Sequence, residues 1–85
     1  MSFRFTAHAL EEIARRGLDR VTIEQVLKAP AQKLAGRSGR LVYQSRVHFP
    51  EGEFLVRVIV DQGTEPPAVV TAYRTSRIAK YWRQP

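Results

Sequence analysis

Residues 53–61 read EFLVRVIVD, and the alternation within them decides the fold. Successive side chains of an extended strand point to opposite faces, so Phe54, Val56, Val58 and Val60 share one face while Leu55, Arg57 and Ile59 share the other. The first set is apolar throughout and mostly β-branched, the composition of a strand laid against a core. The second carries Arg57 at its centre, a residue that is costly in mid-strand unless it reaches solvent or meets an anion. One face of a sheet is therefore the core, and the other is less protected.

Outward from this strand, residues 40–48 and 68–75 are also rich in Val, Ile, Tyr and Thr and read as strands. The connectors PEG at 50–52 and QGTEPP at 62–67 are turn chemistry, so neighbouring strands run antiparallel. A weaker strand is expected at 32–35, followed by the loop GRSGR at 36–40. Before Pro30 the period is helical. In FTAHALEEIARRG, residues 5–17, Thr6 is placed to cap a helix and Gly17 to end it, with Leu10, Ile13 and Ala14 as the buried stripe and His8, Glu12 and Arg15 facing outward. A second helix follows, with Thr22 as cap, Val21 and Val26 as a hydrophobic staple, and Ile23, Val26 and Leu27 inward. Pro30 stops it. The tail SRIAKYW, residues 76–82, forms a short helix capped by Ser76, its Ile78, Tyr81 and Trp82 side docking on the sheet. The expectation is a single α+β domain over residues 1–85: an N-terminal helical hairpin packed on a three- to four-stranded antiparallel sheet, with a short C-terminal helix and the helices on one face.

With 85 residues there is one core and no room for a second. The chain has no cysteine, which removes disulfides, zinc–thiolate sites and thiol nucleophiles, and its two histidines are too few for a metal cluster. No metal or cofactor is expected. No stretch approaches the roughly 18 to 20 apolar residues of a membrane span, and the start has no apolar leader, so a soluble cytoplasmic protein is expected. The 14 Lys and Arg exceed the 8 Asp and Glu by six, and eleven of the 14 are arginine, whose planar fork suits bidentate phosphate contacts. A polyanion is the partner this balance suggests.

The alternation places Arg57, Thr71 and Tyr73 on one surface of the sheet, with Val70 and Ala72 turned inward, and gives residues 40–49 a basic face of Arg40, Gln44, Arg46 and His48. Guanidinium groups hold phosphates and aromatic rings stack unpaired bases, so such a face suits RNA.

The succession TAHALEEIARRGL, TIEQVLKAP, GRLVYQ, LVRVIV and VVTAYRTSRIAKYW resembles a widespread family of small bacterial domains of unknown function. That family is similar in layout to the BrnT and RelE toxins of the barnase, EndoU, colicin and RelE class of ribonuclease folds. The resemblance runs from Phe5 to Trp82 and implies two N-terminal helices on a twisted antiparallel sheet, RNA cleavage without a metal in the active relatives, and a cognate antitoxin that covers the site. Carried over residue by residue, it makes Arg57 the phosphate-binding cation, with Arg74 or Lys80 as a second, Tyr73 or Tyr81 the late tyrosine, and His8 the N-terminal histidine. Histidine is the proton carrier best matched to neutral pH, which makes His8 the leading acid or base. The expected site is then His8, Arg57 and Tyr73, with Arg15, Arg40, Arg46, Thr71, Arg74, Lys80 and Tyr81 holding RNA. The expected function is an mRNA-cleaving toxin. The competing expectations are a non-catalytic module that binds RNA or an acidic protein segment, and a structural domain pairing through an exposed strand edge; a homodimer is left open.

Overall fold

A computed structural model of the chain describes residues 2–84. The chain runs β1 (Arg4–Phe5), α1 (Ala7–Arg15), α2 (Arg20–Lys28), β2 (Gln32–Ala35), a 3₁₀ turn (Arg37–Gly39), β3 (Leu41–Phe49), β4 (Gly52–Asp61), β5 (Ala68–Thr75) and α3 (Ile78–Tyr81). The class is α+β, and the sheet has five strands in the order β1-β5-β4-β3-β2. The three- to four-stranded antiparallel sheet expected above is corrected at one edge. Arg4 and Phe5 pair in parallel with Ala68 and Val69, and the amides of Arg4 and Thr6 donate to the carbonyls of Pro67 and Val69. Two residues are too few to show a period, so this strand leaves no signal of its own.

Residues 56, 58 and 60 of β4 lie in the core as the alternation requires, with Tyr43 of β3 and with Ala9, Ile13, Leu18, Ile23, Val26 and Leu27 from the helical layer. Burial of each such Val, Ile or Leu side chain contributes about 1.5–3 kcal/mol. Along β5 the simple alternation fails. Val60 pairs with Val69 and Ile59 with Thr71, so Val70 is an extra residue and the strand bulges there. The bulge turns both Val69 and Ala72 inward, each fully buried, in place of the Val70 and Ala72 pair expected.

Helix details differ from expectation for identifiable reasons. Thr6 caps α1, its hydroxyl accepting from the Ala9 amide at 3.0 Å. The helix is rotated about its axis, however: Ala9, Glu12 and Ile13 are buried, whereas Leu10 is 41% exposed. A small residue at the contact lets α1 lie close to β5. Glu12 tolerates burial because Arg15 and Arg16 both pair with it, and Arg16 also donates to the Ala72 carbonyl at 2.8 Å and the Thr71 hydroxyl at 3.2 Å. In α2 the cap is Asp19 and not Thr22: its carboxylate accepts from the Thr22 amide at 2.7 Å, so the helix starts earlier and Val21, 62% exposed, makes no staple. A carboxylate suits the positive end of the helix better than a hydroxyl does. That backbone hydrogen bond holds the Asp19 carboxyl below its ordinary range. Ser76 does not cap α3; the hydroxyl of Thr75 accepts from the Arg77 amide.

Gly17 ends α1 at a φ of +70°, with open space around the position a Cβ would take. Only the backbone conformation is then at stake. Gly17→Ala is expected to lower stability by about 1 kcal/mol, read as a fall of about 4–8 °C in the thermal midpoint.

The largest correction concerns α3. The two N-terminal helices cover one face of the sheet, and α3 with residues 82–84 crosses the other. The helices are not on one face, and the face bearing Arg57 is partly roofed.

Candidate functional site

One cross-strand row organises the second face. Gln32 of β2 pairs with Gln44 of β3, Gln44 with Arg57 of β4, and Arg57 with Tyr73 of β5. Their side chains form one hydrogen-bonded chain. Arg57 Nη1 donates to the Tyr73 hydroxyl at 2.5 Å and its Nε to Gln44 Oε1 at 2.8 Å. Gln44 Nε2 donates to Gln32 Oε1 at 2.7 Å and to the Tyr81 carbonyl at 3.2 Å. Gln32 Nε2 donates to the Arg83 carbonyl at 2.6 Å, and Gln32 Oε1 accepts from the Arg83 amide at 3.1 Å. Because a guanidinium only donates, Gln44 must face it with its oxygen, and each amide orientation down the row follows from that. Gln44 is fully buried with both ends of its amide engaged.

Aromatic rings frame the guanidinium. Its central carbon lies 4.3 Å from the Tyr81 ring centroid and 5.7 Å from that of Tyr73, and the two rings meet edge to face. Among the described residues no carboxylate pairs with Arg57; the ion pairs use Arg15, Arg16, Arg20 and Arg74. The half-buried charge is therefore held by neutral oxygens and π-faces. No described side-chain nitrogen or oxygen is both buried and unpartnered, so Arg57 Nη2, which makes no hydrogen bond, is not sealed from solvent. Tyr73, accepting from Arg57, keeps its own proton to donate. The chemistry of such a row suits an oxyanion: a fixed positive fork with an unengaged nitrogen, and beside it a hydroxyl donor.

Arg57, Tyr73 and Tyr81 are thus in mutual contact, with Arg46 stacked on Trp82 at 4.4 Å and Lys80 5.2 Å from the Tyr81 ring at the margin of the same face. Arg40 is exposed at the start of β3, on the alternation of Gln44 and Arg46. Thr71 shares the face by register, but its hydroxyl accepts from Arg16. Three expected members are elsewhere. His8 is exposed on α1, across the sheet from Arg57, so the trio of His8, Arg57 and Tyr73 does not converge. Arg15 lies on α1 too, paired with Glu12. Arg74 is on the helix-covered face, stacked on Phe49 and Phe54 at 4.5 Å each and paired with Glu51 at 3.1 Å, so it is no second cation beside Arg57. Arg74 follows Tyr73 in a strand, and consecutive strand residues cannot share a face. Gln32 and the Arg83 backbone are the members that sequence reasoning missed; it placed Gln44 on this face but gave it no role. A signal existed: pairing across the loop at 36–40 joins 35 to 41 and sets 32 opposite 44.

The Arg74–Glu51 pair has a consequence in acid. The hydrogen bond from Arg74 holds the Glu51 carboxyl below its ordinary value of 4.5. A carboxyl with a depressed folded-state value stabilises the fold above the ordinary value and ceases to as pH falls through the depressed one. The thermal midpoint of Glu51→Gln is expected to lie below the parent's at neutral pH, with the gap closing on acidification below about pH 4.

Residues 5–74 match the family described as a domain of unknown function, DUF4258. The chain belongs to the DUF4258 family. That match runs from Phe5 of β1 to Arg74 of β5 and so includes Gln32, Gln44, Arg57 and Tyr73 of the row, whereas the roof contributed by α3 lies beyond it. No curated protein and no solved structure matches this DUF4258 chain. Among its described residues there is no group of three or more His, Asp or Glu side chains arranged to hold a metal ion, and no helix long and apolar enough to cross a membrane.

Proposed function

We propose that this chain acts on RNA, as an endoribonuclease of the RelE and BrnT kind that uses no metal and is neutralised by a cognate antitoxin. The observation that carries the reading is Arg57: a half-buried guanidinium with no carboxylate partner among the described residues, fixed by Gln44 and Tyr73 and with Nη2 left unengaged. Cleavage next to a 2′-hydroxyl needs that proton removed, the extra charge on the phosphorane stabilised, and the departing 5′-oxygen protonated. Arg57 supplies the second service. Tyr73, with its oxygen fixed by Arg57 and its proton available, supplies the third; solvent water takes the 2′-hydroxyl proton and returns one to the Tyr73 phenolate, so the transfers balance. Arg46 and Lys80 hold flanking phosphates, and the half-buried rings of Tyr81 and Trp82 are the aromatic groups at hand for unpaired bases.

A specific observation favours a second reading, RNA binding without cleavage: the row contains a guanidinium, a phenol and two amides, and His8, the expected proton acceptor, lies on the other layer. End-labelled single-stranded RNA incubated with the purified chain separates the two. Shortened products ending in a 2′,3′-cyclic phosphate support the nuclease. Retention of intact RNA that weakens steeply with salt supports the binding module. RNA neither cut nor retained at low salt removes both.

A further inference from the structure

β3 has nine residues and β2 only four, so part of the sheet ends on an uncovered strand. The β3–β4 hairpin closes through the pair Phe49 and Gly52 across a two-residue turn. In such a hairpin the closing pair is hydrogen-bonded and the backbone groups then alternate sides. Odd-numbered residues of β3 therefore bond β4, and even-numbered ones point away from it. The Gly36 amide, which donates to the Arg40 carbonyl at 2.7 Å from the β2 side, has the same parity. Val42 and Gln44 meet β2, but Arg46 and His48 meet no strand of the described residues. Pro30 cannot donate, and the Ala31 amide goes to the Ser45 side chain at 2.9 Å, so the chain leaves the sheet before reaching Arg46.

We propose that this edge, residues 45–49, is a docking site where an extended acidic segment of a partner polypeptide adds to the sheet as a further strand. The inference does not rest on the RNA reading. The edge is the floor of a groove of about 650 Å³, walled by Gln25, Val26 and Ala29 of α2 on one side and Trp82 on the other. Strand edges are normally blunted by a bulge or by a charge across the edge. β3 pairs with β4 without a register shift, and the Arg46 side chain lies back over Trp82. An added strand bonds the N–H and C=O groups of Arg46 and His48. Its alternate side chains face Arg46 on one side and Val26, Ala29 and Val47 on the other, so the fitting pattern is acidic alternating with apolar. Charge selects against a second copy: two-fold pairing about Val47 sets Arg46 against His48 and brings together two chains of net charge +6.

The test uses the full chain, isotope-labelled, and a blocked peptide of alternating glutamate and valine. Amide exchange is expected to slow at Arg46 and His48 on addition of peptide, and to change little at Ser45 and Val47, which already bond β4. His48→Pro removes an outward donor and no bond to β4, at the cost of a fixed φ, and is expected to weaken the peptide about three- to tenfold, while His48→Ala binds as the parent does. Should His48→Pro misfold, the exchange pattern of the parent still decides. Peptide binding without protection at Arg46 and His48, equal binding of a lysine–valine peptide, no binding at all, or protection appearing with protein concentration in the absence of peptide would each overturn the proposal, the last in favour of a self-paired dimer.

Discussion

Arg57→Met is expected to slow RNA cleavage by about two to three orders of magnitude while changing folding stability by no more than about 1–2 kcal/mol. The first figure is the loss seen when one charge-stabilising donor is removed from a preorganised site, and Arg57 is a donor of that kind, already oriented by Gln44 and Tyr73. The second follows from opposing effects. Methionine leaves Gln44 Oε1 and the Tyr73 hydroxyl without their donor, which costs stability. It also removes a half-buried charge and fills the space under the Tyr81 ring with apolar volume. Arg57→Lys is the informative companion. It keeps the charge but cannot reach Gln44 and Tyr73 as a fixed fork, so RNA retention at low salt falls much less than the cleavage rate. Cleavage measured under single-turnover conditions, a thermal melt and RNA retention at low salt together check these expectations. Undiminished cleavage by Arg57→Met would remove this row from the chemistry.

How far the sequence discloses this site depends on how local each determinant is. The central strand is legible because Phe54, Val56, Val58 and Val60 are a period-two pattern within one segment, and the pattern alone puts Arg57 on the opposite face. The bulge at Val70 is not legible: the segment VVT suits either register, and the choice rests with Phe5 of β1 and Val60 of β4, both distant in sequence. Helix rotation is similar. Leu10 is the more apolar residue, but the close contact with β5 goes to Ala9, because packing distance and not hydropathy decides which side of a short helix faces the sheet. Resemblance to RNA-cleaving families names Arg57 and the late tyrosines but says nothing of Gln32 and Gln44. Alternation puts Gln44 on the face, but its part in the row, and Gln32 altogether, emerge only once β2 and β3 are in register and the C-terminal segment folds back across them.

Gln44→Glu changes one nitrogen to oxygen and is expected to slow RNA cleavage about as much as Arg57→Met does and to weaken RNA retention. A carboxylate at this position accepts from Arg57 Nε as the amide did and in addition cancels the guanidinium charge, so the site no longer attracts a phosphate. Its second oxygen faces two acceptors, Gln32 Oε1 at 2.7 Å and the Tyr81 carbonyl at 3.2 Å in the parent. Two acceptors cannot share that space, so Gln32 must turn its amide to donate, and in turning it gives up the two bonds that clasp the Arg83 backbone. Release of residues 82–84 accompanies loss of the anion site. Gln44→Leu separates these effects. It keeps the charge of Arg57, leaves Arg57 Nε without its acceptor and the Tyr81 carbonyl without the Gln44 donor, leaves Gln32 Oε1 with the Arg83 amide alone, and is expected to lower stability by about 1–3 kcal/mol while RNA retention survives at low salt. Trp82 fluorescence reports the C-terminal segment in both variants, since Arg46 stacks on that indole only while the segment lies across the sheet. Undiminished RNA cleavage and retention in Gln44→Glu with an unchanged Trp82 signal would show that Arg57 and Gln44 do not act as one unit, because a buried carboxylate beside a guanidinium cannot leave its field intact.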